Sequence, residues 1–510
     1  MVRAFDIHHF REVLFMKKLN KIVAVVLAAV MSVSLLACGG NKGASDKDAA
    51  VSSGDKVTIN VYRRCFNLAE PDQAQVKKVE DAINAYIADK INVQIKLNDI
   101  GSDYEDKANL ALANKEIDLL WTASWESTIG TKDLYAANAV YDITDLLPGS
   151  AVYTSMDAKQ WDASKYGGKN YFIPVYKDNV EGYDFMFRKE LVDKYGWNTA
   201  AVKKLQDLEP MLADAAAEGL KYPFLTQRTA MFYRWYIDSF DFFTGDATSN
   251  FIAVDRKTNE VVDTILTPEY EEFVTLMCKW AEEAYISEDD VTKTTDDTTT
   301  QTQDWAISWW TDLPNNGEAN GRYGQEVVMQ PASNRYMHTD SMLGSCFCIS
   351  ATCTPEEAQA CVDFLGLLFT DSKLADIYAY GIEGEDFNYN ADGYVEKIAD
   401  AKYNHSMWES ANATVVTCEK DSPYTAQMYI DFNSSALISC ANGFQFDKTP
   451  VEAQYTACQT VFETYGFALD NGGYASADVP AVLQEYQAAL DEAGYQDVLA
   501  EAQRQYNEWK

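Results

Sequence analysis

The sequence predicts an α/β fold whose first unit is a parallel sheet flanked by helices. Short apolar runs at residues 57–62, 91–97 and 117–121 have the length and composition of β-strands. Residues 73–90 carry apolar side chains at helical spacing, and residues 104–114 are also predicted to be helical. A strand–helix–strand–helix–strand order requires parallel strands with helices covering the faces of the sheet.

A second α/β unit is predicted further along the chain. Residues 183–187 form a strand-like run that leads into a helix through Tyr195, and residues 305–309 form a tryptophan-rich strand. The segment Thr354-Pro355-Glu356-Glu357 has the residues of a capped helix start. We therefore expect more than one α/β unit.

The composition limits the class of protein. The 510 residues include 42 Lys+Arg and 78 Asp+Glu, which gives a formal net charge of −36. Such a surface repels phosphate backbones, so we exclude a nucleic-acid partner. A hydrophobic content of 47%, with 13% aromatic residues, is enough for large packed cores. The length favours two or three domains.

The first residues have the pattern of an export signal. Met16 is the predicted true start, and lysines follow it directly. The apolar run that comes next, at 22–36, is shorter than the ~20 residues of a membrane-spanning helix. The run ends Leu-Leu-Ala-Cys-Gly, which resembles the bacterial lipobox, whose cysteine (here Cys38) is acylated and becomes the mature N-terminus. We predict a signal segment at 1–37 and a lipid-anchored, flexible tether at 38–56. An ordinary cleaved signal is the alternative.

Nine further cysteines raise the question of a metal site. An odd number spread over a long chain does not indicate a small disulfide scaffold. Cys346 and Cys348 alternate along a strand-like run and Cys361 falls in a helical stretch, so we expect buried, small apolar side chains rather than ligands. The nine are Cys65, Cys278, Cys346, Cys348, Cys353, Cys361, Cys418, Cys440 and Cys458.

The sequence lacks the common motifs of catalysis and cofactor binding. It has no Walker A loop, no H-E-x-x-H and no G-x-S-x-G, and after the signal segment its only histidines are His338 and His405. Residues 388–393 resemble half a calcium loop, but Ala399 stands where a bidentate glutamate is needed, so a hairpin turn is the better interpretation. We predict no catalytic residue, no metal and no cofactor.

Aromatic side chains beside carboxylates and amides indicate sugar binding instead. Such groups occur at residues 121–126, 235–236 and 305–312. Sugars present C–H faces on which flat rings stack, and hydroxyl rims that pair with Asp, Glu, Asn or Arg. Trp125 and Trp309 each follow a predicted strand end, where open α/β sheets bind ligands. Core packing is the alternative for any single tryptophan.

Several segments together resemble a known family. The lipobox, YGGKNYFIPV at 166–175 and CFCISATCTPEEAQACVDFLGLLFTD at 346–371 are similar to extracellular solute-binding proteins of family 1, the maltose-binding-protein-like receptors of bacterial ABC importers. YGIEG at 380–384, followed by NADG at 390–393, resembles one lipoprotein subgroup. The uncharacterised C-terminal domain of that subgroup resembles the residues from 443 onwards.

The resemblance implies a periplasmic-binding-protein-like fold of type II, with two lobes, each a mainly parallel sheet, joined by hinge strands. The implied boundaries are 57–174 and 328–372 for the N-terminal lobe, and 175–327 and 373–510 for the C-terminal lobe, with a helical extension at 443–510. It also implies a monomer, anchored on the extracellular face of the cell membrane by its lipid only. This receptor closes over a carbohydrate, an oligosaccharide by preference, and delivers it to ABC permease subunits; a peptide ligand is the alternative.

The resemblance assigns ligand-binding residues to the turn after the third strand, the loop after the first strand, the first crossing between the lobes and the C-terminal lobe. In that order they are Thr122, Ser124, Trp125 and Glu126; Arg63 and Asn67; Tyr176 and Lys177; and Trp235 and Trp309. Trp125 and Trp309 are expected to stack on sugar rings.

Two other classes of protein remain open. An anchored glycoside hydrolase uses the same side chains, and would require Glu126 or Asp312 to face a second carboxyl group across the cleft. A surface adhesion or scaffold protein would bind no small ligand. Turnover of an oligosaccharide distinguishes the first class from a receptor, and a ligand-induced rise in melting temperature excludes the second.

Overall fold

The computed structural model describes residues 56–227, 231–242, 251–292, 304–410, 412–421 and 423–510. The predicted signal segment, the Cys38 anchor and the tether up to residue 55 lie outside these residues. Within the described residues, no helix combines the length and the apolar character that a membrane span requires.

The described residues form sixteen β-strands. β14 and β15 pair as a hairpin around residues 390–393, so the predicted hairpin turn is confirmed. In chain order the strands are β1 Val57–Arg64, β2 Val93–Ile100, β3 Leu119–Thr122, β4 Phe172–Pro174, β5 Tyr183–Arg188, β6 Tyr222–Phe224, β7 Phe240–Asp241, β8 Ile252–Asp255, β9 Glu260–Asp263, β10 Trp305–Thr311, β11 Val327–Pro331, β12 Tyr336–Met337, β13 Cys346–Ile349, β14 Phe387–Tyr389, β15 Val395–Lys397 and β16 Leu437–Ile438.

Helices occupy most of the connections between these strands. The helix that follows Thr354 has the predicted capping box, with the Glu357 carboxylate accepting from the Thr354 N–H at 2.8 Å. The α-helices are Gln73–Ile87, Tyr104–Ala113, Thr131–Ala136, Ala151–Thr154, Ala158–Ala163, Lys189–Tyr195, Glu209–Glu218, Phe232–Trp235, Pro268–Glu282, Glu288–Val291, Gly317–Tyr323, Thr339–Met342, Pro355–Leu368, Ser372–Tyr380, Met407–Ser410, Ala426–Ser434, Glu452–Asp470, Val479–Glu492 and Tyr495–Trp509.

The first sheet has the strand order β2–β1–β3–β13–β4. β1 runs parallel to both β2 and β3, and the helices Gln73–Ile87 and Tyr104–Ala113 connect these three strands. The predicted strand–helix–strand–helix–strand order is therefore confirmed. β13 then pairs antiparallel with β3 on one side and with β4 on the other.

The second sheet has the order β11–β5–β10–β6 and is less parallel than the resemblance implies. β5 runs antiparallel to β10 and β11, while β10 and β6 are parallel. The pairing of β5 with β11 has a geometric cause. The chain enters the second sheet from the first sheet along β5 and leaves it towards the first sheet along β11, so the two strands run in opposite directions. β4 and β13 stand in the same relation in the first sheet, so each strand that leaves a sheet lies beside the strand that comes back.

Each sheet has a hydrophobic core of its own. Ile59 and Val61 of β1 belong to the first core, and Phe185 and Ile307 belong to the second. Tyr506 of the last helix also belongs to the second core, which places the C-terminal helices in that lobe. Two separate cores joined by a few segments give the two-lobe fold that the resemblance implies.

The packing of the chain corrects the expected lobe boundaries in two places. β11, which opens the segment 328–372 expected in the N-terminal lobe, pairs with β5 in the second sheet. Leu374, Tyr429 and buried residues between them pack in the first core, although 373–510 was assigned to the C-terminal lobe. The sequence does not show this, since the segment after the helix Ser372–Tyr380 is held in the first lobe by long-range contacts rather than by a strand in the first sheet.

Three segments of the described chain cross between the lobes, at residues 175–182, 332–345 and 435–440. Main-chain hydrogen bonds of 2.7 Å join Glu181 and Tyr336 in both directions, and β12 pairs with β16. The crossings also share a small apolar cluster that is separate from both cores. Its members on or next to the crossings are Val180, Met337, Met342, Phe432 and Ala436.

The cysteines are thiols packed in the interior. All nine in the described residues are unpaired, and Cys440 is the one that is less than fully buried. Cys353 lies with Asp118 and Glu357 at a spacing that suits a metal ion. However, Asp118 accepts from the Asn60 N–H at 2.7 Å and Glu357 caps its own helix, so both carboxylates already have protein donors.

A buried ion cluster fastens the segment after residue 374 to the first sheet. Arg63 on β1 donates to its in-register neighbour Asp99 on β2 at 2.5 Å, and to the carbonyl of Tyr378 at 2.7 Å. His405 lies 2.8 Å from the second oxygen of Asp99, and all three charged side chains are buried. Burial and Arg63 oppose protonation of His405, but Asp99 outweighs them and raises the pKa of His405 to about 10.

We expect this cluster to make the stability of the first lobe depend on pH. Because the pKa of His405 is raised from 6.5 to about 10 on folding, its contribution is complete below about pH 6.5 and is lost as the pH rises to about 10. Urea denaturation at pH 6.5, 8 and 10 should show a falling free energy of unfolding in the wild type and a smaller fall in His405→Gln. Parallel curves for the two proteins would contradict the assignment.

Candidate functional site

A cleft of about 280 Å³ lies between the two lobes, next to the crossing segments. Trp125 lines it from the first lobe, Tyr233 and Arg256 line it from the second, and Lys177 and His338 line it from two of the crossings. A solute in this cleft therefore contacts both lobes and the segments that join them.

The first-lobe wall is a turn that is fastened at several points. The Trp125 indole N–H donates to the carbonyl of Gly344 at 2.7 Å, and the Ser124 hydroxyl donates to the carbonyl of Asp340 at 2.8 Å. Trp125 remains 50% exposed. This turn follows β3 at the carboxyl end of the parallel strands, where open α/β sheets bind ligands. It presents a large aromatic surface in a fixed orientation.

The second-lobe wall combines rings with a held arginine. The Arg256 guanidinium lies 3.7 Å from the ring centroid of Tyr336 and 3.2 Å from the Asp241 carboxylate. Asp241 also accepts from the Ala441 N–H at 2.9 Å. Tyr233 adds an aromatic ring to the same wall. Flat rings beside fixed hydrogen-bonding groups suit a ligand that has apolar faces and polar edges.

The crossing segments contribute an ion pair to the cleft. Glu181 from the first crossing lies 2.6 Å from His338 of the second, and the Tyr183 hydroxyl donates to the same glutamate. Burial raises the pKa of Glu181, but His338 reverses this effect and the pKa is lowered. Glu181 in turn raises the pKa of His338 against the effect of burial. The pair therefore holds two crossing segments together at the cleft surface.

The carboxylates that line the cleft are already paired within the protein. Carboxylate oxygens in such pairs can still accept hydrogen bonds from ligand hydroxyls, because each oxygen has more than one lone pair. The pairs are Asp178 with Lys177 at 3.1 Å, Glu181 with His338 at 2.6 Å, Asp241 with Arg256 at 3.2 Å and Asp340 with Lys132 at 2.8 Å.

Of the residues that the resemblance assigns, Ser124, Trp125 and Lys177 line this cleft. Tyr176, next to Lys177, is buried at 6% exposure and belongs to the first core. Asn67 is exposed but does not line the cleft, and it donates to Ser406 at 3.1 Å.

Three assigned residues are corrected to buried structural positions in the first lobe. Arg63 is in the ion cluster with Asp99, and the Thr122 hydroxyl donates to the carbonyl of Ile129 at 2.6 Å. Glu126 is buried and accepts from Arg64 at 2.6 Å. Burial raises the pKa of Glu126 to about 7 in spite of Arg64.

Trp309 and Trp235 are likewise corrected to packing positions in the second lobe. Trp309 is 3% exposed, and its indole N–H donates to the carbonyl of Thr226 at 2.8 Å. The cause is the length of β10, which continues to Thr311, so that Thr311 lines the cleft and Trp309 faces the core. Trp235 stacks on Phe185 with ring centroids 5.1 Å apart.

Sequence reasoning missed most of the second-lobe wall and the polar residues of the second crossing. Tyr233, Asp241 and Arg256 lie in or beside short elements that have no marked pattern. No motif in the sequence marks His338 as a site residue. One signal was available: Tyr183 opens the strand predicted at 183–187, a few residues after the first-crossing residues Tyr176 and Lys177, and residues beside a crossing lie near the cleft of any two-lobe protein.

Comparison with known proteins identifies the class of protein. A family model described as a bacterial extracellular solute-binding protein matches residues 81–383, which is more than half of the chain. The protein belongs to the bacterial extracellular solute-binding protein family. A second model, described as a domain of unknown function (DUF3502), matches residues 440–510, the part that resembles an uncharacterised C-terminal domain.

Individual relatives cover nearly the whole chain. A carbohydrate ABC transporter substrate-binding protein of Streptococcus pneumoniae serotype 4 is 24% identical over 499 residues, 94% of this chain and 96% of that protein. The crystal structure of the N-glycan transport solute binding protein (NgtS) from Streptococcus pneumoniae is similar with a TM-score of 0.73 and 21% identity, covering 89% of this chain and 99% of that chain. The same protein in complex with Man1GlcNAc gives a TM-score of 0.66 at the same identity and coverage.

We expect the two tryptophans to differ in their effect on stability. Trp309→Ala should lower the free energy of unfolding of the second lobe by about 3–5 kcal/mol, because it removes a fully packed ring. Trp125→Ala removes a half-exposed ring and should cost much less. Urea denaturation followed by circular dichroism measures both, and equal losses would place Trp309 outside the core.

Proposed function

We propose that the protein is the receptor of an ABC importer that captures an oligosaccharide between its lobes and releases it unchanged to the permease. The observation that carries the proposal is the inter-lobe cleft, with Trp125 on one wall, Tyr233 and Arg256 on the other, and two crossing segments between them. The names of the relatives, a carbohydrate transporter component and an N-glycan transport protein, support the same ligand class.

Capture follows from the way the cleft is built. A ligand that touches both walls gains its full set of contacts only when the lobes are closed, so it shifts the population towards closure. The Glu181–His338 pair joins two crossing segments at the surface of the cleft. A ligand in the cleft and a movement of the hinge would therefore both act on these side chains. The permease then recognises the closed form of the receptor. The receptor makes and breaks no covalent bond.

The arrangement favours binding over hydrolysis. Glu126, a candidate acid with a raised pKa, is buried behind the turn and held by Arg64. Asp312, the other candidate, is paired with Arg335 at 2.5 Å. Retaining and inverting glycosidases both need two carboxyl groups that face the scissile bond, and neither residue lines the cleft. We therefore propose a binder and not a glycosidase.

Membrane attachment is part of the proposal. The resemblance of residues 35–39 to a lipobox supports acylation of Cys38 and a location on the extracellular face of the cell membrane. A short lipid-anchored tether keeps the receptor near its permease and raises the effective concentration of one for the other.

A binding screen tests the proposed function. The soluble protein from residue 39 onwards is scanned for a rise in melting temperature with a panel of oligosaccharides and peptides, since a ligand that binds only the folded state stabilises it. The hits are then incubated with the protein and analysed by chromatography. A saturable glycan that is recovered intact supports a sugar receptor. A peptide hit, a cleaved product or no hit contradicts it.

Trp125 is expected to supply stacking energy to the ligand. Trp125→Ala should weaken the affinity for the best glycan of the screen about tenfold, or ~1.4 kcal/mol, because an aromatic face is lost while the fold remains. Trp125→Phe keeps a ring and should lose less. Titration calorimetry measures both variants, and an unchanged affinity in Trp125→Ala would remove this residue from the site.

A further inference from the structure

We infer that the ligand-binding surface continues out of the cleft onto the first lobe, where it binds the outer sugar residues of a long oligosaccharide. The inference rests on the proposed function and adds a length preference to it. We call this surface the outer platform, and it consists of Arg64, Asn67, Trp125 and Trp408.

Trp125 belongs to the cleft and to the outer platform at once. It lines the cleft, and its ring centroid lies 6.5 Å from that of Trp408 and 6.0 Å from that of Phe66. Phe66 and Trp408 are themselves 4.8 Å apart, and both are half-buried. Trp125, Phe66 and Trp408 therefore form one group of partly exposed rings that begins at the cleft. The Trp125 and Trp408 rings are tilted by 45° to each other, which suits successive sugar rings of a bent chain.

Arg64 supplies hydrogen-bond donors beside these rings. Its guanidinium lies 4.5 Å from the ring centroid of Phe66 and 5.9 Å from that of Trp125. Nη1 donates to both oxygens of the buried Glu126, which fixes the position of the group. Nε and Nη2 donate to none of the described residues, and the side chain is 30% exposed. A fixed, partly exposed guanidinium is suited to pairing with sugar hydroxyls.

Asn67 supplies an acceptor on the same side of the lobe. Its amide nitrogen donates to Asn404 at 3.3 Å and to Ser406 at 3.1 Å. These contacts join the loop after β1 to the segment that carries Trp408. The side-chain carbonyl of Asn67 accepts from none of the described residues, and Asn67 is exposed. Its oxygen is therefore available to a ligand hydroxyl.

The cleft is too small to hold the whole of a long glycan. The cleft measures about 280 Å³, at the lower end of the ~300–1,000 Å³ that ligand pockets occupy. A glycan of several residues exceeds this volume, so part of it would lie outside the cleft. The outer platform offers both ring faces and hydroxyl partners there. If Trp408 were only a packing residue, its loss would affect stability and not the length preference.

The experiment compares a short and a long glycan. Titration calorimetry measures Man1GlcNAc and Man5GlcNAc with the wild type, Trp408→Leu, Asn67→Ala and the control Trp509→Leu, which changes a tryptophan that is 42% exposed in the C-terminal helix. If the screen finds another glycan series, its shortest and longest members replace these two. Trp408→Leu should weaken binding of the long glycan about tenfold and leave the short one unchanged. Asn67→Ala should show the same selectivity at a smaller size, and Trp509→Leu should change neither.

The outcomes separate this inference from the proposed function. Equal losses for the two glycans, or no loss for either, in both Trp408→Leu and Asn67→Ala would overturn the outer platform and leave the cleft as the whole site. Asn67→Ala decides the matter if Trp408→Leu fails to fold, because Asn67 is exposed. If the wild type binds no glycan of any length, the proposed function fails, and the inference fails with it.

Discussion

One chain has to build two separate cores and return between them, and this constraint determines most of the structure. A strand that leaves a sheet towards the other lobe lies beside the strand that comes back, so β4 and β13 are antiparallel, as are β5 and β11. The crossings meet between the sheets, and their side chains necessarily form part of the cleft. The crossings and the candidate site therefore share residues, among them Lys177, Glu181 and His338.

This sharing explains why the cleft has charged residues in pairs. Glu181 and His338 come from different crossings, and each is partly shielded from water. A lone charge in that position would lose hydration without compensation, whereas the pair satisfies both groups and ties the crossings together. In the proposed function this pair would couple binding to closure, since a ligand that contacts it contacts two crossing segments.

The parts of the structure that follow local patterns were predictable from the sequence. The alternation of strands and helices predicted the first sheet, and the rule that ligands bind at strand ends located Trp125. The same rule failed at Trp309, because β10 runs two residues further than its apolar pattern suggested. Because side chains alternate along a strand, two additional residues leave Trp309 on the same face of β10. However, Trp309 now lies two residues inside the end of the strand, in the core and not at the rim of the sheet. The second-lobe wall consists of short loops whose position depends on packing, which no local pattern reveals.

Arg63 and Arg64 are successive residues of β1, so their side chains lie on opposite faces of the strand and have different partners. Arg63 lies on the face of β1 that carries Ile59 and Val61, where an arginine must be paired to be buried, and its partner Asp99 lies opposite on β2. Arg64 lies on the other face, beside Trp125 and Glu126. The buried member also holds Tyr378 and, through Asp99, His405, and so brings the segment with Trp408 onto the first lobe. Together with the apolar residues that this segment adds to the first core, the buried ion pair between adjacent strands accounts for the corrected lobe boundary.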